Sequence, residues 1–296
     1  MRNVKMEIKY AVWGGYPVLF FAAAFFAVIF CFLSPVLSAG VRQPVVSDPC
    51  AENGALLSIL DRPTVSDSSC VVKPGKVVIE AGMQDFFFNN QGVKSEQVAY
   101  PYAEIRAGLP GNNEIKFFPP NYNILTYPGF NIPPSSGYDD SGIGFKHEFG
   151  YTQNLTYSAD VLVAFPSGTN GFQNYGTDFT VNGQFTYSLT DALSVQFAPG
   201  ISSLTALSGN GNPRRFFSFN PDFVAAYQFT SMFQLYGELF RNSIQGVGLS
   251  GNYWFDGGFQ YLITNNIEID AEYGVFLDPP SGSSGHYIGF GTGLMF

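Results

Sequence analysis

Residues 178–189, DFTVNGQFTYSL, decide the fold. Phe179, Val181, Phe185, Tyr187 and Leu189 share one face of an extended chain, and Thr180, Asn182, Gln184, Thr186 and Ser188 share the other. Side chains alternate across a β-strand with a period of two, so one face suits hydrocarbon and the other suits water. Residues 267–277 repeat the pattern: Ile267, Ile269, Ala271, Tyr273, Val275 and Leu277 oppose Glu268, Asp270, Glu272 and Gly274. A strand of a soluble sandwich also alternates, but here the design recurs over residues 193–201, 217–229 and 253–263, with aromatic residues frequent on the apolar face. Aromatic girdles at both membrane interfaces account for that excess.

Strands of this kind are expected to begin near Lys76, Glu96, Asn113, Gly142, Leu155, Asp178, Leu193, Phe216, Phe233, Asn252, Ile267 and His286. The predicted fold is all-β, a transmembrane antiparallel up-and-down β-barrel of about 12 strands over residues 76–296. Connections alternate in length. Short turns fall at residues 110–112, 152–154, 190–192, 230–232 and 264–266, and longer polar or glycine-rich loops fall between them. Barrels of this type place short turns on the periplasmic side. Every backbone donor and acceptor must be paired inside lipid, so the sheet must close on itself. The last strand ends on Phe296, and Gly291, Leu294 and Phe296 resemble the terminal signal read by the barrel-assembly machinery.

Composition agrees. The chain of 296 residues is 46% hydrophobic and 17% aromatic but only 12% charged, against about 25% charged in ordinary globular proteins. Residues 1–39 read as a signal peptide: Arg2, Lys5 and Lys9 precede an apolar stretch from about Pro17 to Leu33, followed by Ser38, Ala39 and Gly40. The alternative is a retained membrane anchor, since the stretch is long enough to span a bilayer. Cleavage after Ala39 leaves eleven basic and 22 acidic residues. Such a chain offers no basic patch for nucleic acid. The expected route is export through the periplasm to the bacterial outer membrane, with membrane lipid as a partner.

Residues 40–75 form a short N-terminal segment, expected on the periplasmic side, in which Cys50 and Cys70 are predicted to form a disulfide because an oxidising compartment pairs such thiols. It serves either as a plug of the periplasmic mouth or as a tether. Neither cysteine has Cys-x-x-Cys spacing or a nearby histidine, so a zinc site is the weaker reading, and no metal or cofactor is expected.

Alternation also proposes a lumen. Lys146, Glu148, Asp160, Asp222, Glu238, Asp256, Glu268, Asp270 and Glu272 fall on inward positions, as do Glu80, Glu104, Arg106, Glu114 and Lys116. Acids outnumber bases by eleven to three. A water-filled channel so lined would concentrate cations, whereas a closed barrel would tie the same charges into a network. The aromatic, proline-rich residues 117–138, with Tyr122, Tyr127 and Phe130, are read either as a constriction in the mouth or as a cover for the rim. The rival class is an enzyme of lipid modification or a sealed barrel with a surface role. His147 faces lipid beside Phe145 and Phe149, and Phe149 stands where a barrel phospholipase would carry its serine. His286 has no evident orienting acid, and no catalytic residue is assigned.

Three segments carry a family resemblance: Leu60-Asp61-Arg62-Pro63-Thr64-Val65 leading to Cys70; Phe255-Asp256-Gly257-Gly258-Phe259-Gln260-Tyr261 with the Thr264-Asn265-Asn266 turn; and Asp270-Ala271-Glu272-Tyr273-Gly274. In these the chain resembles outer-membrane proteins of the MetA-pathway of phenol degradation type, labelled as transporters. The resemblance implies passage of small solutes, aromatic or hydrophobic compounds among them, and names no catalytic residue.

Overall fold

In the computed structural model, residues 48–50, 55–246 and 249–296 are described, so the expected signal peptide lies outside them. A five-residue helix, α1 (Ala55–Ile59), precedes the strands. They are β1 (Val77–Asn90), β2 (Val93–Tyr100), β3 (Glu104–Leu109), β4 (Asn113–Phe118), β5 (Tyr122–Thr126), β6 (Ser135–Tyr138), β7 (Gly142–Tyr151) and β8 (Leu155–Ala164). After them come β9 (Asp178–Ser188), β10 (Leu193–Leu207), β11 (Pro213–Thr230), β12 (Phe233–Gly246), β13 (Leu249–Thr264), β14 (Ile267–Phe276) and β15 (Ser283–Met295). All pair antiparallel, and β15 pairs with β1 from Val78↔Met295 to Asn90↔Ser283, which closes the barrel.

The fifteen strands make twelve wall positions among the described residues, because β2–β3, β4–β5 and β6–β7 are each one wall strand interrupted midway. The interruptions lie side by side: β3 pairs with β4 and β4 with β7, while β2 pairs with β5 and β5 with β6. Pro101, Pro119 and Pro120 occupy two of the three breaks, and a proline donates nothing to a ladder.

The expected short turns are present, and four share one device. Thr152, Thr190, Thr230 and Thr264 each use Oγ1 to accept a backbone N–H two residues on, from Asn154, Ala192, Met232 and Asn266. Such hydroxyl-closed turns need no glycine. At the other end, the connection between β1 and β2 is a two-residue hairpin at Gln91 and Gly92, both with positive φ, as a primed turn requires. The segment expected as the loop 117–138 continues the wall as the hairpin β5–β6. β11, at 18 residues, exceeds the roughly 9–11 needed to cross the hydrocarbon, so the ladder runs on past the membrane where hydrophobic alternation has ended.

Burial is inverted relative to a water-soluble protein. Ile143, Phe145, Val161, Val181, Phe223 and Phe290 on the outer face are between 46% and 53% exposed, whereas Arg106, Lys116, Lys146, Glu80, Asp256 and Glu268 inside are fully covered. The segment expected on the periplasmic side lies in the lumen, at the short-turn end. Its Leu56, Leu57, Ile59, Leu60 and Val72 cluster with Val78 and Leu262 of the wall. Cys50 and Cys70 are joined in the predicted disulfide.

Candidate functional site: the divided lumen

After α1 the N-terminal segment carries little regular structure, so its backbone groups need partners that a helix or sheet would otherwise supply. The barrel's inward carboxylates provide them. Glu80 accepts from the backbone N–H groups of Asp61 (3.0 Å) and Arg62 (2.6 Å). Glu238 accepts from Val65 (2.9 Å) and Ser66 (3.1 Å), and Glu114 from Val72 (2.7 Å). Glu148 accepts from Val71 at 3.5 Å. Two wall amides complete the set, Gln260 donating to the Arg62 carbonyl and Gln196 to that of Asp67.

Charges run the other way as well. Arg62 reaches from the segment to Asp270 at 3.0 Å and lies 3.9 Å from Glu272. Arg106 pairs with Glu80, Glu114 and Asp61 and donates to the carbonyls of Ile59 and Cys70. Lys116 contacts Asp61 and Asp67, each at 2.6 Å, and Lys146 contacts Asp61 at 3.3 Å. Burial raises the affinity of Asp67 for a proton, but the ammonium groups of Lys116 and Lys146 outweigh it and hold this carboxyl below the usual aspartate range. Glycines make the room: a Cβ on Gly291 would lie 2.4 Å from Arg62 Nε, one on Gly293 2.4 Å from Leu60 Cδ2, and one on Gly108 2.0 Å from the Lys73 carbonyl.

Of the predicted lumen residues, Lys146, Glu148, Glu238 and Asp270 therefore hold the segment directly. Asp160 accepts from Asn182 and Gln184 within the wall. Glu272 accepts from Gln84, and Glu268 is buried opposite Gly293. Asp256 accepts from the Tyr287 hydroxyl, and Asp222 borders open space. Among the described residues, two groupings of acids, one with Cys50, lie close enough to share a metal ion. One uses Cys50, whose sulfur is already in the disulfide, and the other (Asp61, Glu80, Glu104) is neutralised by Arg106 and Lys116.

Beyond the segment, toward the long-loop end, the lumen has two unlike walls. One is aromatic: Trp254 stacks on Phe276 (5.1 Å) and Phe240 (6.4 Å), meets Phe88 edge-on (6.1 Å) and lies 5.9 Å from Tyr287, which adjoins Phe86 at 5.2 Å. The other, from β9 to β11, is polar and bounds a cavity of about 220 Å³ lined by Thr180, Asn182, Gln184, Asn220 and Asp222. Val65, Ser66 and Asp67 form its floor, and Phe240 and Arg241 join the two walls. Trp254, Phe276 and Tyr287 stand at inward positions, so this wall departs from the expectation that the aromatic excess faces lipid.

Tyr122 packs between Tyr100 (5.7 Å) and Tyr138 (5.1 Å) on the extended hairpin, and Phe130 is 45% exposed near its tip, following Tyr127, whose carbonyl accepts from Phe130. His147 pairs with Asn113 and meets Phe149 edge-on, and His286 stacks on Phe87. At the seam, Leu294 and Phe296 alternate outward, Phe296 62% exposed, while Gly291 faces Arg62.

These features define a closed, membrane-spanning β-barrel of the outer-membrane type with an N-terminal segment lodged against its inner wall. No protein-family model and no curated protein matches the chain. Among solved structures, the COG4313 outer-membrane channel from Pseudomonas putida F1 matches with a TM-score of 0.60 and 12% identity, over 77% of this chain and 97% of that one. The NanC porin (TM-score 0.49, 13% identity, 72% and 98% covered) and the translocator domain of the autotransporter NalP from Neisseria meningitidis (0.48, 11%, 75% and 88%) lie further off. The fold is that of the bacterial outer-membrane barrels.

Proposed function

We propose that the protein is an outer-membrane channel for small solutes, aromatic or hydrophobic compounds among them, gated by its own N-terminal segment. One observation carries this: the segment is held in the lumen by side chains of the wall and adds no strand to the sheet. It can shift without opening the barrel. The solute-sized cavity sits directly above it, between an aromatic and a polar wall. At about 220 Å³ the cavity falls below the roughly 300–1,000 Å³ of drug-sized pockets, which favours a single-ring or short-chain solute. Short turns mark the periplasmic side, so a solute from outside meets the aromatic wall first and the segment last. In this reading the constriction is the segment around Arg62, not the hairpin carrying Tyr122, Tyr127 and Phe130. The resemblance to MetA-pathway proteins points the same way and adds the class of aromatic compounds.

Recordings in planar bilayers test the proposal. The natural chain should show small or infrequent openings, and Arg62→Ala, which frees the segment from Asp270, should raise conductance or open time. No conductance at any voltage from either protein refutes a channel.

A further inference from the structure

Glu238 and Asp256 are register partners on the inner face of β12 and β13, and Asp222 stands diagonally across on β11, where Val224 partners Glu238 and Asp222 partners Phe240. Like charges directly opposite on a sheet repel. Arg62, Arg106, Lys116 and Lys146 pair elsewhere, and among the described residues no ion pair reaches any of these three acids. All three are at least 95% buried. One oxygen of Asp222 and one of Asp256 have no hydrogen-bond partner among the described residues. Neither has the hydroxyl of Tyr236, 7% exposed on the same inner face two residues before Glu238. A buried hydroxyl and two carboxylate oxygens left open cost free energy unless something partners them.

Aromatic rings surround the cluster. Phe240, beside Asp222, and Trp254, two residues before Asp256 on the same face, stack with one another, and Tyr287 donates to Asp256. The 220 Å³ cavity reaches the cluster at Asp222 and Phe240. Glu238 lies within hydrogen-bond reach of both Asp222 and Asp256, and acids this close with no ion pair call for shared protons or for a cation. Faces of aromatic rings favour an organic cation over a hydrated metal ion, which seeks oxygen on all sides.

We propose that Asp222, Glu238, Asp256 and Tyr236 form a binding site for a small organic ammonium ion, whose hydrocarbon body rests on Phe240 and Trp254. This names a solute class for the channel and rests on that reading. Because Glu238 also accepts from Val65 and Ser66, an ammonium ion placed against it competes with those N–H groups for the carboxylate. Loading the site then loosens the segment beneath it.

Phenethylammonium, its neutral isostere 2-phenylethanol, and calcium serve as probes, titrated calorimetrically into the detergent-solubilised full chain. Phenethylammonium should bind at least about tenfold tighter than 2-phenylethanol, the discrimination a charge-assisted hydrogen bond supplies. Asp256→Asn should remove most of that preference, Tyr236→Phe should weaken binding by a few fold, and Glu96→Gln, distant on β2, should change nothing. Retained shift on heating in gel electrophoresis confirms that each variant is folded. Equal binding of amine and alcohol, or an unchanged preference in folded Asp256→Asn, overturns the site, because the triad is then held together by shared protons. Calcium binding that excludes the amine also overturns it. Amine binding without conductance keeps the site and removes the channel; conductance without amine preference does the reverse.

Discussion

The two halves of the lumen are built on opposite terms. Around the segment, Arg62, Arg106, Lys116 and Lys146 each meet a carboxylate, and backbone N–H groups fill further acceptor positions. Glu268 and one oxygen of Glu148 are left there without a hydrogen-bond partner among the described residues. Asp222, Asp256 and Tyr236 take part in no ion pair among the described residues and keep open polar atoms, Asp222 beside a cavity. Networks that pair their charges fix a structure, and unpaired ones leave work for a ligand. The contrast in ion pairing separates residues that hold the segment from those that meet a solute, and Glu238 does both.

Breaking the ion-paired half should cost most. Arg106→Ala strips Glu80 and Glu114 of their partner, and losing one side of a buried pair costs about 3–5 kcal/mol. Thermal unfolding, followed by heat-dependent gel mobility, should drop accordingly. A loss below about 1 kcal/mol, the value of an exposed pair, would mean that water reaches this network. Next comes the disulfide. Replacing Cys50 and Cys70 by serine opens a link spanning 20 residues, worth about 3 kcal/mol on the loop-entropy scale. That loss should fall on the segment, so bilayer conductance should rise on reduction with dithiothreitol while the barrel stays folded. Unchanged conductance would show that the wall alone retains the segment.

Smaller effects sharpen the boundary. Gly108→Ala pushes a methyl group into the backbone at Val72 and Lys73, an overpacking cost of about 1–3 kcal/mol, read in the same melting assay. Tyr236→Phe removes a buried hydroxyl that has no partner among the described residues, so without ligand it should be neutral or stabilising by up to about 1 kcal/mol. Destabilisation would reveal a partner for that hydroxyl. Acid should act most gently. The Asp67 carboxyl is held below its ordinary value, so its contribution is intact above about pH 4 and is lost as pH falls further. Segment opening, measured as conductance, should rise below that pH in the natural chain and less so in Asp67→Asn.

The barrel was legible because lipid on one side and a lumen on the other impose period two, and the short turns punctuate it at residues 110–112, 152–154 and 264–266. Strand ends were less legible at the long-loop end, where β11 and β12 go on pairing after the lipid boundary has been passed. Inward positions such as Glu238 and Asp270 could be named, but not their partners. Alternation tells which way a side chain points, and a chain without periodicity, such as residues 60–73, carries no signal of where it lies. Arg62 stood in the family-like stretch Leu60–Val65 with nothing to connect it to Asp270, which is 208 residues away.

The glycines of β15 bear on how the molecule is made. Gly291 and Gly293 sit against Arg62 and Leu60, and their strand is the one that zips to β1. The strand that closes the barrel is therefore also one that the segment is fitted against, so a bulky residue at Gly291 would press on Arg62 and on the β1–β15 seam at once.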